Sequence, residues 1–177
     1  MEGGPLPSCS NSIGPTGDKF PSSRTKGSFM KGKNAAEDRT NPAKSTLESV
    51  HSGDAFARLV GTELIELEPG FARARLKVTD DVVNFHRMAH GGAIFTLADL
   101  ACEAAGNSLG APAVAIQTNI HFLTAGKAGD VLTATAKLTG RVESFGIIEF
   151  GVKNQEGRLL SSGQQIIAFK RQRSYPA

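Results

Sequence analysis

"NFHRMAHGGAIFTLADLACEAAGNSLG", residues 84–110, reads as a loop running into a helix that is apolar on almost every side. Ala93, Ile94, Leu97, Ala98, Leu100, Ala101, Cys102, Ala104 and Ala105, with Phe95, leave little polar face, the pattern of a helix enclosed by other structure. Gly110 and Pro112 should end it. Inside it Thr96, Asp99, Glu103 and Asn107 recur every three or four residues and so share one narrow polar stripe. A buried carboxylate without a partner is costly and shifts its pKa, so the stripe should face water, a ligand or another subunit.

What encloses the helix is read from the rest of the chain. "DAFARLVG" (54–61) has Phe56, Leu59 and Val60 on one side at helical spacing. "TELIELEPGFARARLKVT" (62–79) holds two runs about the turn signal Pro69-Gly70, the second alternating apolar and Arg, as in a hairpin with one wet face. "AVAIQTNIHFL" (113–123), "DVLTATAKLTGRVE" (130–143), "FGIIEFGVKN" (145–154) and "RLLSSGQQIIAFKR" (158–171) are four alternating strands. Turns are expected at Gly126 to Gly129, around Ser144 and at Glu156-Gly157, and connections this short predict an antiparallel meander. About six strands and one long helix share a core only if the sheet curls around the helix, which is an α+β architecture.

At 177 residues with 40% hydrophobic content, the chain can bury one substantial core. Residues 1–45 have few large apolar side chains and no period, and are expected to be a disordered tail ahead of a domain at 46–177. The formal charge of +3 comes entirely from that tail, where seven Lys and Arg stand against four Asp and Glu. They are scattered among Gly, Ser and Pro without interleaved aromatics, so a nucleic-acid partner is not expected. No run approaches membrane-spanning length and no signal-peptide core precedes the domain, so the expectation is a cytoplasmic protein with no membrane partner. Cys9 and Cys102 form neither a disulfide framework nor a metal cluster, and Cys102 reads as a small core residue.

The start of the helix is a second chemical element. Its first backbone N–H groups have no internal partner and the helix dipole makes that end attractive to anions. Gly91 and Gly92 would let a ligand oxygen approach without meeting a Cβ, as an oxyanion hole requires. Eight residues of helix put Gly91 and Asp99 roughly 12 Å apart along one axis, too far to act on one carbonyl. The two can meet only across a dimer whose helices run antiparallel about a two-fold axis.

"HGGAIFTLADLA", "AAGNSLG" and "FLTAGKAGDVLTATA" resemble the hotdog-fold acyl-CoA thioesterases of the phenylacetic-acid-degradation (PaaI) type, over residues from about 54 to 170. The resemblance implies a hotdog fold, a curved antiparallel sheet of about six strands wrapped around one long central helix. It also implies a homodimer or a homotetramer built as a dimer of dimers, with sites at the subunit interface and an acyl-CoA substrate hydrolysed to a carboxylic acid and CoA. The acyl group would be aromatic or medium-chain, and no cofactor or metal is implied. Position by position, Asp99 matches the catalytic carboxylate, as nucleophile or as base for water. Gly91 matches the residue whose N–H polarises the thioester carbonyl, Asn84 the asparagine that positions water or the carbonyl, and His90 the motif histidine in a supporting role. Two positions depart. Ala115 stands where some relatives place a serine, and Glu103 where many have an apolar or small residue, although as a solvated side chain it would be unremarked.

Two alternatives share the fold. An acyl-CoA hydratase would carry an Asp, an Asn two later and a His five later. Asp81 and His86 fit that spacing, but Asn84 comes three after Asp81 and no proline follows. A non-catalytic acyl-CoA-binding protein would keep the pocket and lose Asp99. His51, His86 and His121 read as surface or packed residues, and their spacing makes no metal cluster. Arg141, Lys170 and Arg171 are candidates for the phosphates of CoA.

Overall fold

The computed structural model describes residues 53–170. The expectations for residues 1–45, and for Cys9, His51 and Arg171, lie outside them. Helix α1 (Ala55–Val60) is closed at both ends by its own sequence: the Asp54 carboxylate accepts from the Ala57 N–H at 2.8 Å, and Gly61 turns left-handed at φ 82°. Of its residues only Ala57 is buried. Phe56 and Leu59 are 61% and 80% exposed, so the described residues leave uncovered the apolar side that the spacing builds.

Strands β1 (Thr62–Glu68) and β2 (Phe71–Lys77) form the expected hairpin about Pro69-Gly70. Alternation buries Ala72, Ala74 and Leu76 and leaves Arg73 and Arg75 wet, paired across the strands with Glu66 at 3.2 Å and Glu63 at 2.9 Å. Exposed pairs of this kind add little stability; they mark the outer face. Helix α2 (Gly91–Asn107) then crosses the inner face, followed by β3 (Ala113–Phe122), β4 (Val131–Val142), β5 (Phe145–Lys153) and β6 (Leu159–Phe169). The helix contacts all six strands. Beneath it Ala72 pairs with Ala136 and Ala74 with Ala134, all fully buried, and these short side chains let the Ala-rich helix sit close on the sheet. Register shifts between Leu64 and Glu66, Ala115 and Gln117, and Leu138 and Gly140 are the irregularities by which such a sheet bends.

The expected meander is only partly right. The order is β1-β2-β4-β5-β6-β3, every neighbour antiparallel, so β4 to β6 form a meander while β3 lies at the far edge against β6. The connection between β3 and β4 steps over two strands. Three strand spacings are roughly 14 Å, and residues 123–130 can reach roughly 26 Å when extended. The crossing segment is tied down on its way: the N–H groups of Leu123 and Thr124 donate to the Leu160 carbonyl, the Ala89 N–H to Gly126, and the Gly129 N–H to Val78. Alternation fixes which face a residue occupies but not which strand stands beside it. Gly163 on β6 is one residue whose type the pairing dictates, since a side chain there would strike the Asn119 carbonyl and the Phe150 ring.

At the C-terminal end of α2 the fully buried Ser108 donates to the Ala105 carbonyl at 2.7 Å and accepts from the Gly70 N–H at 2.8 Å. The hydroxyl joins the helix end to the β1–β2 turn and satisfies a backbone N–H that has no other acceptor among the described residues. Ser108→Ala should therefore cost about 1–3 kcal/mol, the desolvation penalty of the orphaned amide. Urea unfolding of the variant beside the wild type measures it, and an unchanged midpoint would contradict the assignment.

Candidate active site

The His-Gly-Gly motif has a separate task for each residue. His90 stands at the N-cap of α2 in extended backbone, φ −65° and ψ 135°, and its Nδ1 accepts from the Gly92 N–H at 2.9 Å. The imidazole does what a Ser or Asp usually does there, and in the neutral ring this leaves the proton on Nε2. Gly92 provides clearance: a Cβ there would come within 3.0 Å of the His90 ring. The cap thus takes the Gly92 N–H, although the glycine itself still borders open space at the helix start. The Gly91 N–H is the first of the helix and has no acceptor among the described residues.

Asn84 is held beside it by a tight loop. Its backbone N–H donates to the Met88 carbonyl at 2.8 Å, and its Oδ1 accepts from the N–H groups of His86 at 2.9 Å and Met88 at 3.2 Å. Arg87 turns left-handed at φ 62° to close the loop, and its guanidinium pairs with Asp80 at 2.7 Å on the surface. With Oδ1 engaged, the Asn84 Nδ2 is left as a donor without a partner among the described residues. Asn84 and Gly91 line one cavity of about 300 Å³ together with Met88, Ile94, Phe122 and Thr124. A second cavity of about 450 Å³ opens on the neighbouring face of the first helical turns, walled by Phe56, Val60, Val82, His90, Phe95 and Thr96. Phe95, read as part of the enclosed face, is instead 37% exposed there.

Asp99 lines neither cavity. It is half-buried on the polar stripe, and its Oδ1 accepts from the Gln165 Nε2 at 2.6 Å. The structure thus brings Asn84 and Gly91 together and leaves Asp99 two turns along the helix. Burial raises the Asp99 carboxyl above its ordinary range, the Gln165 hydrogen bond opposes that, and the charge of Asp54 adds to it. Glu103 is half-buried rather than solvated, and it too is raised, by burial first, then by Asp99 and Asp54. Cys102 is fully buried and its thiol is pushed far up by burial, as befits a core residue.

Gln165 and its second partner Thr118, at 3.1 Å, escaped the sequence reading. The available signal was parity: on β6 Gln165 falls in step with Ile167 and Phe169, a polar residue at a core position. His86 stacks on the exposed Phe85 with centroids 3.8 Å apart, and His121 is exposed on β3. Arg141 lies over the Phe169 ring at 4.1 Å, which with Lys170 is the opposite end of the β3–β6 ladder from Phe122. Among the described residues no three His, Cys, Asp or Glu gather as a metal site, and no helix is long and apolar enough to cross a membrane.

The pattern of the thioesterase superfamily matches residues 74–161. Over 122 residues the chain is 35% identical to the acyl-coenzyme A thioesterase PaaI of Escherichia coli K12, a stretch covering 69% of this chain and 87% of that one. The solved E. coli PaaI structure superposes with a TM-score of 0.71 at 33% identity, over 73% of this chain and 94% of its own. A hypothetical thioesterase of Streptococcus pneumoniae TIGR4, solved with coenzyme A, superposes with a TM-score of 0.65 at 30% identity, over 72% and 99% of the two chains.

Proposed function

The chain belongs to the thioesterase superfamily as a PaaI-type hotdog member, and from that premise we propose that it hydrolyses an acyl-CoA to a carboxylic acid and CoA through a site shared by two subunits. A bond forms from a water oxygen to the acyl carbon, the carbon–sulfur bond breaks, and the leaving sulfur takes a proton to become the CoA thiol. A thiolate leaves readily, so a carboxylate and an oxyanion hole suffice without a Ser-His-Asp triad.

The observation that carries the reading is Asp99, a half-buried carboxylate on the narrow polar stripe of a helix packed elsewhere with apolar residues. It acts as nucleophile or as base for water. The unpartnered Gly91 N–H, at the positive end of the helix dipole, polarises the thioester carbonyl, and the Asn84 amide positions water or that carbonyl. His90 supports the helix start from which Gly91 points. The separation of Asp99 from the Asn84–Gly91 cavity supports a homodimer with antiparallel helices, alone or paired into a tetramer. So does the edge strand β3, where Val114, Ile116 and Phe122 are 45–55% exposed. Coenzyme A in the streptococcal relative supports an acyl-CoA substrate. The apolar cavity of about 450 Å³ has the size of ordinary ligand pockets and supports an aromatic or medium-chain acyl group.

A panel of aromatic and medium-chain acyl-CoA thioesters, with release of free CoA followed by a thiol reagent, tests the assignment. At least one should be turned over with kcat/KM of about 10⁴ M⁻¹s⁻¹ or more. Binding without CoA release from any of them would instead favour a non-catalytic acyl-CoA-binding protein, and hydration of an enoyl-CoA with the thioester intact a hydratase.

A further inference from the structure

We propose that Gln165, anchored by Thr118, is a positioning residue that holds Asp99 as the carboxylate with one oxygen fixed and the other free to act. This rests on the reading of Asp99 as catalytic. Gln165 is fully buried on β6, and its Nε2 carries two protons, both used: one on the Asp99 Oδ1 at 2.6 Å, the other on the Thr118 Oγ1 at 3.1 Å. The Asp99 Oδ2 has no partner among the described residues.

The other end of the amide shows that this is not a packing role. The Gln165 Oε1 is buried and unpartnered, a costly arrangement that a methionine of similar length would avoid. The amide keeps this orientation because the reverse one would aim Oε1 at a carboxylate oxygen, acceptor against acceptor. A protonated Asp99 could donate to Oε1 and would tolerate the reverse. The hydrogen bond on Oδ1 favours the ionised form of Asp99 and so opposes burial and the charge of Asp54 at the cap of α1, while Glu103, one turn along the helix, is itself raised by Asp99. The position read as matching a serine, Ala115, is exposed and precedes a break in register. The hydroxyl that β3 sends towards the carboxylate is three residues on, at Thr118, and it acts through Gln165.

The test follows the Asp99 carboxyl by ¹³C NMR across pH in the full-length protein, with the pH profile of kcat beside it. In Gln165→Met the midpoint should rise by about one pH unit, and the acid limb of kcat should rise with it, so that turnover below the midpoint falls about tenfold and converges on wild type at high pH. KM should change little. An unmoved midpoint in a folded Gln165→Met would overturn the proposal. If that variant fails to fold, Thr118→Val carries the test: loss of the anchor should raise the midpoint by a few tenths of a unit, and no rise would overturn it equally. The carboxyl titration is independent of turnover, so a failure here is separable from a failure of Asp99 as the catalytic group, which Asp99→Asn reports.

Discussion

Asp99→Asn should fold and assemble like the wild type and lose at least about two orders of magnitude in kcat, since removing a nucleophile or base costs that much or more. The substitution is nearly isosteric and keeps an oxygen for the Gln165 N–H, so the loss is chemical rather than structural. The same variant has a signature in stability. Because burial raises the Asp99 carboxyl, the unfolded chain ionises first as pH rises. The contribution of this group to stability is complete below the ordinary carboxylate value and is lost as pH climbs through the raised native value. At pH 7 the ionised group therefore works against folding, and the melting temperature of Asp99→Asn should equal or exceed that of the wild type. The gap should close in acid, where both side chains are neutral. Near wild-type turnover on the best substrate would refute the role of Asp99. A melting temperature well below wild type at pH 7 would show that its charge stabilises the fold instead.

Periodicity carried most of the fold. The apolar run at 93–105 set the enclosed helix, the 3–4 spacing of Thr96, Asp99, Glu103 and Asn107 set the half-buried stripe, and alternation at 71–76 set the wet face of the first hairpin. The place of β3 was not legible, because a period of two encodes inside and outside and says nothing about neighbours. Of the candidate site, residue type alone marked Asp99 and Gly91. The rest was hidden where the role depends on another element: His90 as a cap, Gly92 as clearance for it, and Gln165 meeting Asp99 from 66 residues away in sequence.

The central claim is that each site is completed by two chains, and mixed dimers test it most directly. Asn84→Ala would also release two loop N–H groups, so Gly91→Pro is the cleaner partner for Asp99→Ala. Gly91 is the first helical residue, where proline is well tolerated, and its N–H has no partner to lose. His90 before it already has the extended backbone that a following proline requires. Each parent should be nearly inactive, one lacking the carboxylate and the other the oxyanion donor. When the two are unfolded together and reassembled, about half the dimers should be mixed, each with one intact site and one lacking both groups. Roughly a quarter of wild-type activity should then return if the site spans two chains. Activity no greater than the mean of the two parents, in samples whose mixed dimers are verified by mass spectrometry, would contradict the shared site.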